Sequence, residues 1–257
     1  MRSPGWWADA HRRLSQRALQ RQVDYQKRVG QRLRDLGDPG LSVPKVPAAI
    51  VELLSHAQLP DRPRVLEVGT AGRGLLCYLP STWQRVGVDP LALDYRFIFP
   101  PWTRLVETCA AFGEALPFGP QVFDLVLCDN VIDHAESPKT ILGELVRVLK
   151  PTGILYFTVN VHHPVYYYAS LAHRLWNAVG IPFEIGPFAD HTFHFTVEQV
   201  RQMLSALPVT AHVQRCDISA ARHQARLRNP RHLGDRLKRI FFKNARYVMI
   251  AGPKPLS

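Results

Sequence analysis

The chain has 257 residues, of which 46% are hydrophobic and 21% charged, and its formal net charge is +11. This composition is too apolar for a disordered protein, and no apolar run reaches the roughly 18 residues that a membrane-spanning helix needs. It is typical of a globular protein with one domain, or at most two.

The N-terminus and the cysteines predict a location in the cytoplasm. The opening residues, MRSPGWWADAHRRLSQR, lack the apolar stretch of a secretory signal. The four cysteines lie far apart and form no CxxC pair, so no zinc or other metal site is predicted. Buried thiols in a reducing compartment are the simpler interpretation.

The positive charge is concentrated in the two flanks of the chain. Residues 1–36 contain nine Lys and Arg against three Asp and Glu, and residues 215–246 contain ten against two. Basic flanks can attract RNA, an anionic membrane surface or a phosphorylated substrate, but a merely solvated face has the same composition. The sequence leaves these interpretations open.

The order of predicted elements indicates an α/β fold. Helices are predicted at 6–36, 46–57, 137–149 and 196–207, the last with Thr196 as its N-cap. Strands are predicted at 64–68, 85–88, 104–107, 123–128, 153–159, 209–218 and 245–252. Strands alternating with helices predict a Rossmann-like, doubly wound, mostly parallel seven-stranded sheet with helices on both faces.

This order suggests a division of the chain at residue 60. Residues 1–60 would form an N-terminal helical extension, and residues 61–257 the α/β domain. An aromatic insertion at about 160–195 is expected to pack over the edge of the sheet as a lid, with a few of its rings lining an apolar pocket. Its aromatic residues are Tyr166, Tyr167, Tyr168, Trp176, Phe183, Phe188, Phe193 and Phe195.

The segment VLEVGTAGRG, residues 65–74, carries the sharpest local signal. A strand containing Glu67 is followed by a turn through Gly69, Gly72 and Gly74, and a helix is expected to begin there. Twenty residues after Gly69, the next strand ends at Asp89, where a carboxylate can accept both hydroxyls of a ribose. The sequence therefore predicts a nucleoside site, although Glu67 could merely order the glycine turn.

The glycine spacing argues against a dinucleotide cofactor. The glycines run GxxGxG rather than the dinucleotide pattern GxGxxG. An acid just before the first glycine also disfavours a pyrophosphate, because the two carry like charge. It could instead serve the ammonium end of an amino acid ligand.

Residues 64–159 resemble the class I S-adenosylmethionine-dependent methyltransferases, in particular the type 11 subfamily that includes the ubiquinone and menaquinone methylases. The matching pieces occur in family order: LEVG, GVDP, EALPF, FDLV, the Asp-His pair of NVIDH, and LGELVRVLKPTG. The resemblance implies S-adenosylmethionine as the cofactor. Alanine and arginine at positions 71 and 73, and phenylalanine at 112, depart from the family's usual glycines and adenine-binding acid.

The resemblance also implies roles for individual residues. The glycine turn would border the methionine part of the cofactor, Asp89 would bind the ribose, residues 112–114 would flank the adenine, and Asp129 would close the pocket near the sulfonium. The full set of implied cofactor-binding residues is Glu67, Val68, Gly69, Thr70, Gly72, Asp89, Pro90, Phe112, Gly113, Glu114, Asp129 and Asn130.

Three histidines are candidates for the catalytic base. His134 follows the fourth strand, and His162 and His163 follow the fifth, where an imidazole could take a proton from an acceptor hydroxyl. A structural role is an alternative for each of them. Positioning for in-line attack is expected to contribute more than acid–base chemistry, because the sulfonium is already activated.

The sequence thus predicts a cytoplasmic methyltransferase that acts on a small-molecule, lipid-like or glycan-linked acceptor, with oxygen favoured as the acceptor atom. One alternative is an RNA methyltransferase that uses the basic flanks, although no stacking aromatics are interleaved with the arginines of 215–246. Another is a non-catalytic relative that binds the cofactor or a partner as a scaffold. A third is a peripheral membrane enzyme whose basic flank meets anionic lipid.

Overall fold

The structure, a computed structural model, describes residues 6–35, 47–72, 74–178, 193–227, 229 and 233–254. The strands in this part of the chain are β1 (Arg64–Val68), β2 (Gln84–Val88), β3 (Glu107–Cys109), β4 (Phe123–Asp129), β5 (Leu149–Val161), β6 (Val209–Cys216) and β7 (Ala245–Pro253). The helices are α1 (Trp6–Asp35), α2 (Ala48–His56), α3 (Ala92–Ile98), α4 (Pro100–Thr103), α5 (Pro138–Val148), α6 (Pro164–Ala178), α7 (Val197–Ser205), α8 (Ile218–Leu227) and α9 (Leu233–Ile240).

These strands form one sheet in the order β3-β2-β1-β4-β5-β7-β6. The first five strands are parallel, and β7 runs antiparallel between β5 and β6. The predicted seven-stranded, mostly parallel α/β sheet is confirmed. The chain reverses its direction of winding between β1 and β4, and the carboxyl ends of these two strands open the crevice where ligands bind in such sheets.

Both faces are covered at the centre of the sheet, which explains the apolar sequences of β1 and β4, whereas most of β6 is exposed. Along β1, Val65 and Leu66 point to opposite faces and enter different clusters of the core. Helices α5 and α7 pack on the Leu66 face, whereas α2 packs on the Val65 face. Helix α2 packs on the sheet, because its Ile50 and Leu53 are part of the core. The division of the chain at residue 60 remains a proposal.

Local signals correctly located several helix boundaries. Thr196 caps α7 through a capping box, in which its side chain accepts from the Gln199 N–H and the Gln199 side chain accepts from the Thr196 N–H. Helix α5 begins at Pro138. Proline lacks a backbone N–H, but an N–H at the first position of a helix has no intrahelical acceptor, so no hydrogen bond is lost.

Two predictions for the part of the chain between β1 and β4 are wrong. The helix expected after the glycine turn is a four-residue 3₁₀ turn, Leu75–Tyr78, because only fifteen residues join β1 to β2 and Pro80 follows closely. The third strand lies at Glu107–Cys109 rather than at 104–107, because α4 and the turn after it use residues 100–106.

The long helix α1 packs across α3 and also reaches α6. Its Gly30 lies against Ile98, where a Cβ atom would approach the Ile98 side chain to 2.7 Å. The Arg34 guanidinium donates to the Ile98 carbonyl at 3.3 Å. None of the helices that the structure describes combines the length and apolar character needed to cross a bilayer.

The aromatic insertion is described only in part. Residues 164–178 form α6, whose Tyr168 side chain is exposed, while Phe193 and Phe195 stack with their ring centroids 5.6 Å apart. Phe183 and Phe188 lie outside the described residues.

Candidate functional site

The predicted site residues lie at the carboxyl ends of neighbouring strands. Gly69 follows β1, Asp89 follows β2, and Asn130 follows β4. Backbone hydrogen bonds join these ends: the Gly69 N–H donates to Val88 at 2.7 Å, and the Asp89 N–H donates to Cys109 at 3.1 Å. The fold therefore collects the predicted residues along one edge, beside the crevice between β1 and β4.

Asp89 is buried, and its carboxylate organises the loops around it. One oxygen accepts from the Ala71 N–H at 2.9 Å and the other from the Leu91 N–H at 2.8 Å. Burial raises the pKa of this carboxyl above its usual value, while the two backbone hydrogen bonds oppose that shift. An ionised carboxylate offers about four lone-pair sites, so two remain for the hydroxyls of a ribose. Asp89 therefore fits a nucleoside cofactor.

Glu67 contacts the protein's own backbone. Its carboxylate is almost fully buried and accepts from the N–H groups of Leu75 and Leu76, at 2.8 and 3.0 Å, in the 3₁₀ turn. Burial raises the pKa of Glu67 to about 8, although these two hydrogen bonds oppose the shift. The contacts support the ordering role for Glu67, while a role toward the cofactor stays a prediction.

At each glycine of the turn, a side chain of the protein occupies the space that a Cβ atom would need. A Cβ atom at Gly69 would lie 2.3 Å from Val131, one at Gly72 would lie 2.2 Å from Phe99, and one at Gly74 would lie 2.3 Å from Glu67. Gly69 also has a φ of +79°, which disfavours any side chain. Internal packing is therefore sufficient to require glycine at all three positions.

The segment predicted to flank the adenine divides into three environments. Phe112 is 56% exposed, three residues beyond the end of β3, and offers a ring on which a base could stack. Gly113 is buried, and a Cβ atom there would lie 3.0 Å from Val68. The Glu114 carboxylate accepts from the N–H groups at the start of α5, at 2.8 Å from Glu136 and 3.1 Å from Ser137. Glu114 therefore holds the start of α5, and its contact with a cofactor remains a prediction.

The end of β4 carries an ion pair that sequence reasoning missed. The Asp129 carboxylate accepts from Thr158 on β5 and from the Arg246 guanidinium on β7. Arg246 also donates to the Tyr156 hydroxyl at 3.3 Å. No local motif marks Arg246, because only the register of the antiparallel strand β7 brings it to this edge.

Asn130, the residue after Asp129, shapes the turn out of β4. Its φ is +58°, a left-handed conformation that asparagine tolerates better than most residues. Its side-chain oxygen accepts from the Asn160 N–H at 2.9 Å. Asn130 thus fixes the loop that carries Val131 over Gly69.

Two of the three candidate histidines are held by structural contacts. His162 is fully buried, its Nδ1 accepts from the Asn244 N–H at 3.3 Å, and its ring centroid lies 5.0 Å from that of His194. The Nδ1 atom of His163 accepts from the Val165 N–H at 3.3 Å, at the start of α6. These contacts give both histidines a structural role, and a part in catalysis stays a prediction.

His134 has a different environment. It lies in the turn after β4, and 29% of its side chain is exposed. Its Nε2 atom is 3.9 Å from a carboxylate oxygen of the buried Asp133. A partly exposed imidazole in the turn after β4 remains a candidate general base.

Comparison with known sequences identifies the central segment. Residues 66–157 match the family described as "Methyltransferase domain". An uncharacterized methyltransferase of Mycobacterium leprae is 27% identical over 149 residues, which cover 56% of this chain and 46% of that protein. A thiol S-methyltransferase of Rattus norvegicus is 35% identical over 75 residues, 27% of this chain and 31% of that one. The chain thus spans less than half the length of these curated relatives.

Solved structures share the fold at low sequence identity. The YcgJ protein of Bacillus subtilis matches with a TM-score of 0.56 and 16% identity, over 82% of this chain and 99% of that one. A geranyl diphosphate C-methyltransferase of Streptomyces coelicolor matches with a TM-score of 0.59 and 13% identity, over 80% of this chain and 78% of that one. These structures confirm the fold, and the family match confirms the predicted type 11 methyltransferase resemblance of the central segment.

Proposed function

We propose that this chain, whose residues 66–157 are a class I methyltransferase domain, transfers a methyl group from S-adenosylmethionine to a small-molecule, lipid-like or glycan-linked acceptor. An acceptor hydroxyl oxygen is favoured over nitrogen, because the segment Asp129–Ile132 lacks the Pro-Pro-aromatic sequence of many enzymes that methylate nucleic-acid amines. The family match supports the reaction class.

The observation that carries this proposal is the position of Asp89. Its carboxylate is buried at the end of β2, held by two backbone N–H groups, and keeps two lone-pair sites for the vicinal hydroxyls of a ribose. Phe112 and Gly113 lie beyond the next strand, where an adenine attached to that ribose would be packed. Val68, Thr70 and Pro90 complete the predicted border of the cofactor, each directly beside a strand end.

The methyl group would be transferred at the ends of β4 and β5. When bound, the cofactor's sulfonium supplies an activated methyl group that an oxygen nucleophile can take in one displacement. Asp129 and Asn130 hold the turn beside this position through their bonds to β5 and β7. The chain's contribution is to exclude water and to align the acceptor, which is worth more here than proton transfer.

His134 is our candidate for the group that takes the acceptor's proton. Its ring is partly exposed beside the buried Asp133 carboxylate, so the imidazolium formed on proton transfer would be stabilised. In this arrangement Asp133 is a positioning residue that acts through His134.

A second candidate function, a non-catalytic cofactor-binding scaffold, is favoured by the internal packing of the β1–β2 connection. The Glu67 carboxylate is held by the 3₁₀ turn, and the Phe99 ring packs against Gly72. Such a protein would bind S-adenosylmethionine without turning it over on any acceptor.

A methyl-label assay distinguishes these possibilities. The full chain is incubated with methyl-tritiated S-adenosylmethionine and, separately, with lipid extract, a mixture of small hydroxylated metabolites, glycans and total RNA. Label in the lipid, metabolite or glycan fraction supports the proposal, and His134→Gln should lower that rate at least about tenfold while leaving cofactor binding unchanged. Label confined to RNA, or cofactor binding without transfer to any fraction, would overturn it.

We also propose that the protein acts in the cytoplasm. Its four cysteines are free, which supports a reducing compartment, although the expectation of buried thiols holds only for Cys128, and Cys109 is exposed.

A further inference from the structure

The connection between β6 and β7 forms a helical pair with a large positive charge. Residues 217–244, here called the basic hairpin, contain α8 and α9 and carry eight Lys and Arg against two Asp. The two helices pack against each other, and the Arg239 guanidinium donates to the Arg226 carbonyl at 3.5 Å. The hairpin is therefore a defined unit attached to the edge of the sheet.

On helix α9, the apolar side chains that the structure describes are exposed. Leu237 and Ile240, three residues apart and so on the same face, are 41% and 63% exposed. Asp235, Lys238 and Arg239 lie on the opposite side of the helix, where the Asp235 side chain is 26% exposed, and Lys238 donates to Asp235 at 2.9 Å. A surface helix of a globular protein normally buries its apolar stripe, because that burial stabilises the helix. The exposed apolar face formed by Leu237 and Ile240 therefore indicates a binding partner that covers it.

The charge around that face restricts the partner. Arg236 is exposed beside Leu237, and Arg226 is exposed beside Leu227, which is itself 72% exposed. A second copy of this face would bring two strongly positive surfaces together, which is unfavourable. RNA would satisfy the arginines but would leave the leucines and isoleucine without apolar contact. An anionic lipid surface offers both phosphate groups and an apolar interior.

The basic hairpin contacts the chain that follows β5, on the side of the site where we propose that the acceptor binds. The backbone N–H of His163 donates to the Phe242 carbonyl at 3.0 Å, and Arg222 lies over the Phe242 ring at 5.9 Å. The Lys243 ammonium lies 6.0 Å from the centre of the Tyr166 ring on α6. The turn that leads from α9 into β7 thus packs directly on the chain leaving β5.

We propose that the basic hairpin docks this protein on anionic lipid surfaces, with Leu237 and Ile240 entering the interfacial region and Arg226 and Arg236 contacting headgroup phosphates. Docking by this hairpin brings the chain that leaves β5, which packs on the turn after α9, near the bilayer. A lipid-like acceptor could then reach the site from the membrane. That consequence rests on the proposed function, whereas the docking itself does not.

Vesicle co-sedimentation of the full chain tests the docking. We expect binding to vesicles of phosphatidylcholine with about 30% phosphatidylglycerol to exceed binding to pure phosphatidylcholine at least about tenfold. The double variant Leu237→Ser/Ile240→Ser should bind the anionic vesicles about tenfold or more weakly, since it removes apolar side chains that enter the interface. Arg226→Glu/Arg236→Glu should lose binding to a similar or greater extent.

Matched variants on α3 and after α4 provide the controls. Leu93→Ser/Phe97→Ser removes two apolar side chains that are 56% and 84% exposed, and Arg96→Glu/Arg104→Glu reverses two exposed charges. Both should bind vesicles like the parent. All of the substituted side chains are exposed, so melting temperatures should change little.

Three results would overturn the docking proposal. One is vesicle binding that is unchanged by the Leu237/Ile240 variant, and another is equal binding to neutral and anionic vesicles. The third is tight binding to an RNA oligonucleotide, unaffected by the serine substitutions, with no binding to vesicles. Because none of these measurements uses S-adenosylmethionine, failure here is distinguishable from failure of the proposed methyl transfer.

Discussion

The Asp89 carboxylate at the end of β2 accepts a hydrogen bond of 2.9 Å from the backbone N–H of Ala71, in the loop after β1. This bond holds Ala71 at a φ of +48°, a left-handed conformation that usually favours glycine. The same carboxylate thus stabilises the loop internally and lies where a ribose would bind. Replacing Asp89 with alanine therefore removes both roles together.

Asp89→Ala should weaken S-adenosylmethionine binding by roughly 30- to 1000-fold, because two charge-assisted hydrogen bonds worth about 2–4 kcal/mol in total are lost. Isothermal titration calorimetry measures this directly. Asp89→Asn keeps the shape and one acceptor oxygen, and should give an intermediate affinity. Asp94→Ala, which removes an exposed carboxylate from α3, is the matched control and should bind like the parent. Equal affinities for Asp89→Ala and the parent would exclude Asp89 as the ribose ligand.

The raised pKa of Glu67 predicts a pH-dependent stability. Since burial raises this pKa from 4.5 to about 8, the folded chain retains a proton that the unfolded chain releases. The contribution of Glu67 to stability is therefore complete below pH 4.5 and is lost as the pH rises to about 8, by at most about 1.4 kcal/mol per pH unit.

Glu67→Gln should flatten this dependence. The variant loses one of the two hydrogen bonds to the 3₁₀ turn, so it should be less stable than the parent at pH 5, but its stability should fall less steeply between pH 5 and 8. Urea unfolding across that range gives both slopes. Parallel curves for the two proteins would contradict the assignment of the titration to Glu67.

Two glycines should respond in opposite directions to substitution by alanine. Gly69→Ala places a Cβ atom 2.3 Å from Val131 at a φ of +79°, and should lower the free energy of unfolding by about 2–4 kcal/mol. Gly143→Ala lies on the exposed side of α5 with no atom within 4 Å of the new Cβ, and should raise it by about 0.5–1 kcal/mol. Chemical unfolding measures both changes, and a neutral Gly69→Ala would show that the loop can move away from Val131.

The ion pair between Asp129 and Arg246 should show measurable coupling. Both side chains are partly exposed, so we expect a coupling energy of about 1 kcal/mol from a double-mutant cycle of Asp129→Asn and Arg246→Gln, measured by urea unfolding. Strictly additive effects of the two substitutions would mean that the pair contributes nothing to stability.

Local patterns in the sequence predicted much of the fold. The apolar runs of β1 and β4 and the N-cap at Thr196 act through residues close in the chain, so they can be read without tertiary information. The glycine turn was located correctly, but the helix expected after it was not, because the length of the β1–β2 connection decides whether a helix fits.

The sequence by itself determined the order of strands and helices, the family resemblance, and the position of Asp89 at the end of a strand. Only the tertiary structure decided that Glu67 binds the 3₁₀ turn, that Arg246 pairs with Asp129 across 117 residues of chain, and that α9 presents Leu237 and Ile240 to solvent. The physical reason is that hydrogen bonds and ion pairs between distant segments depend on strand register and helix rotation. Residue spacing along the chain does not encode either of them directly.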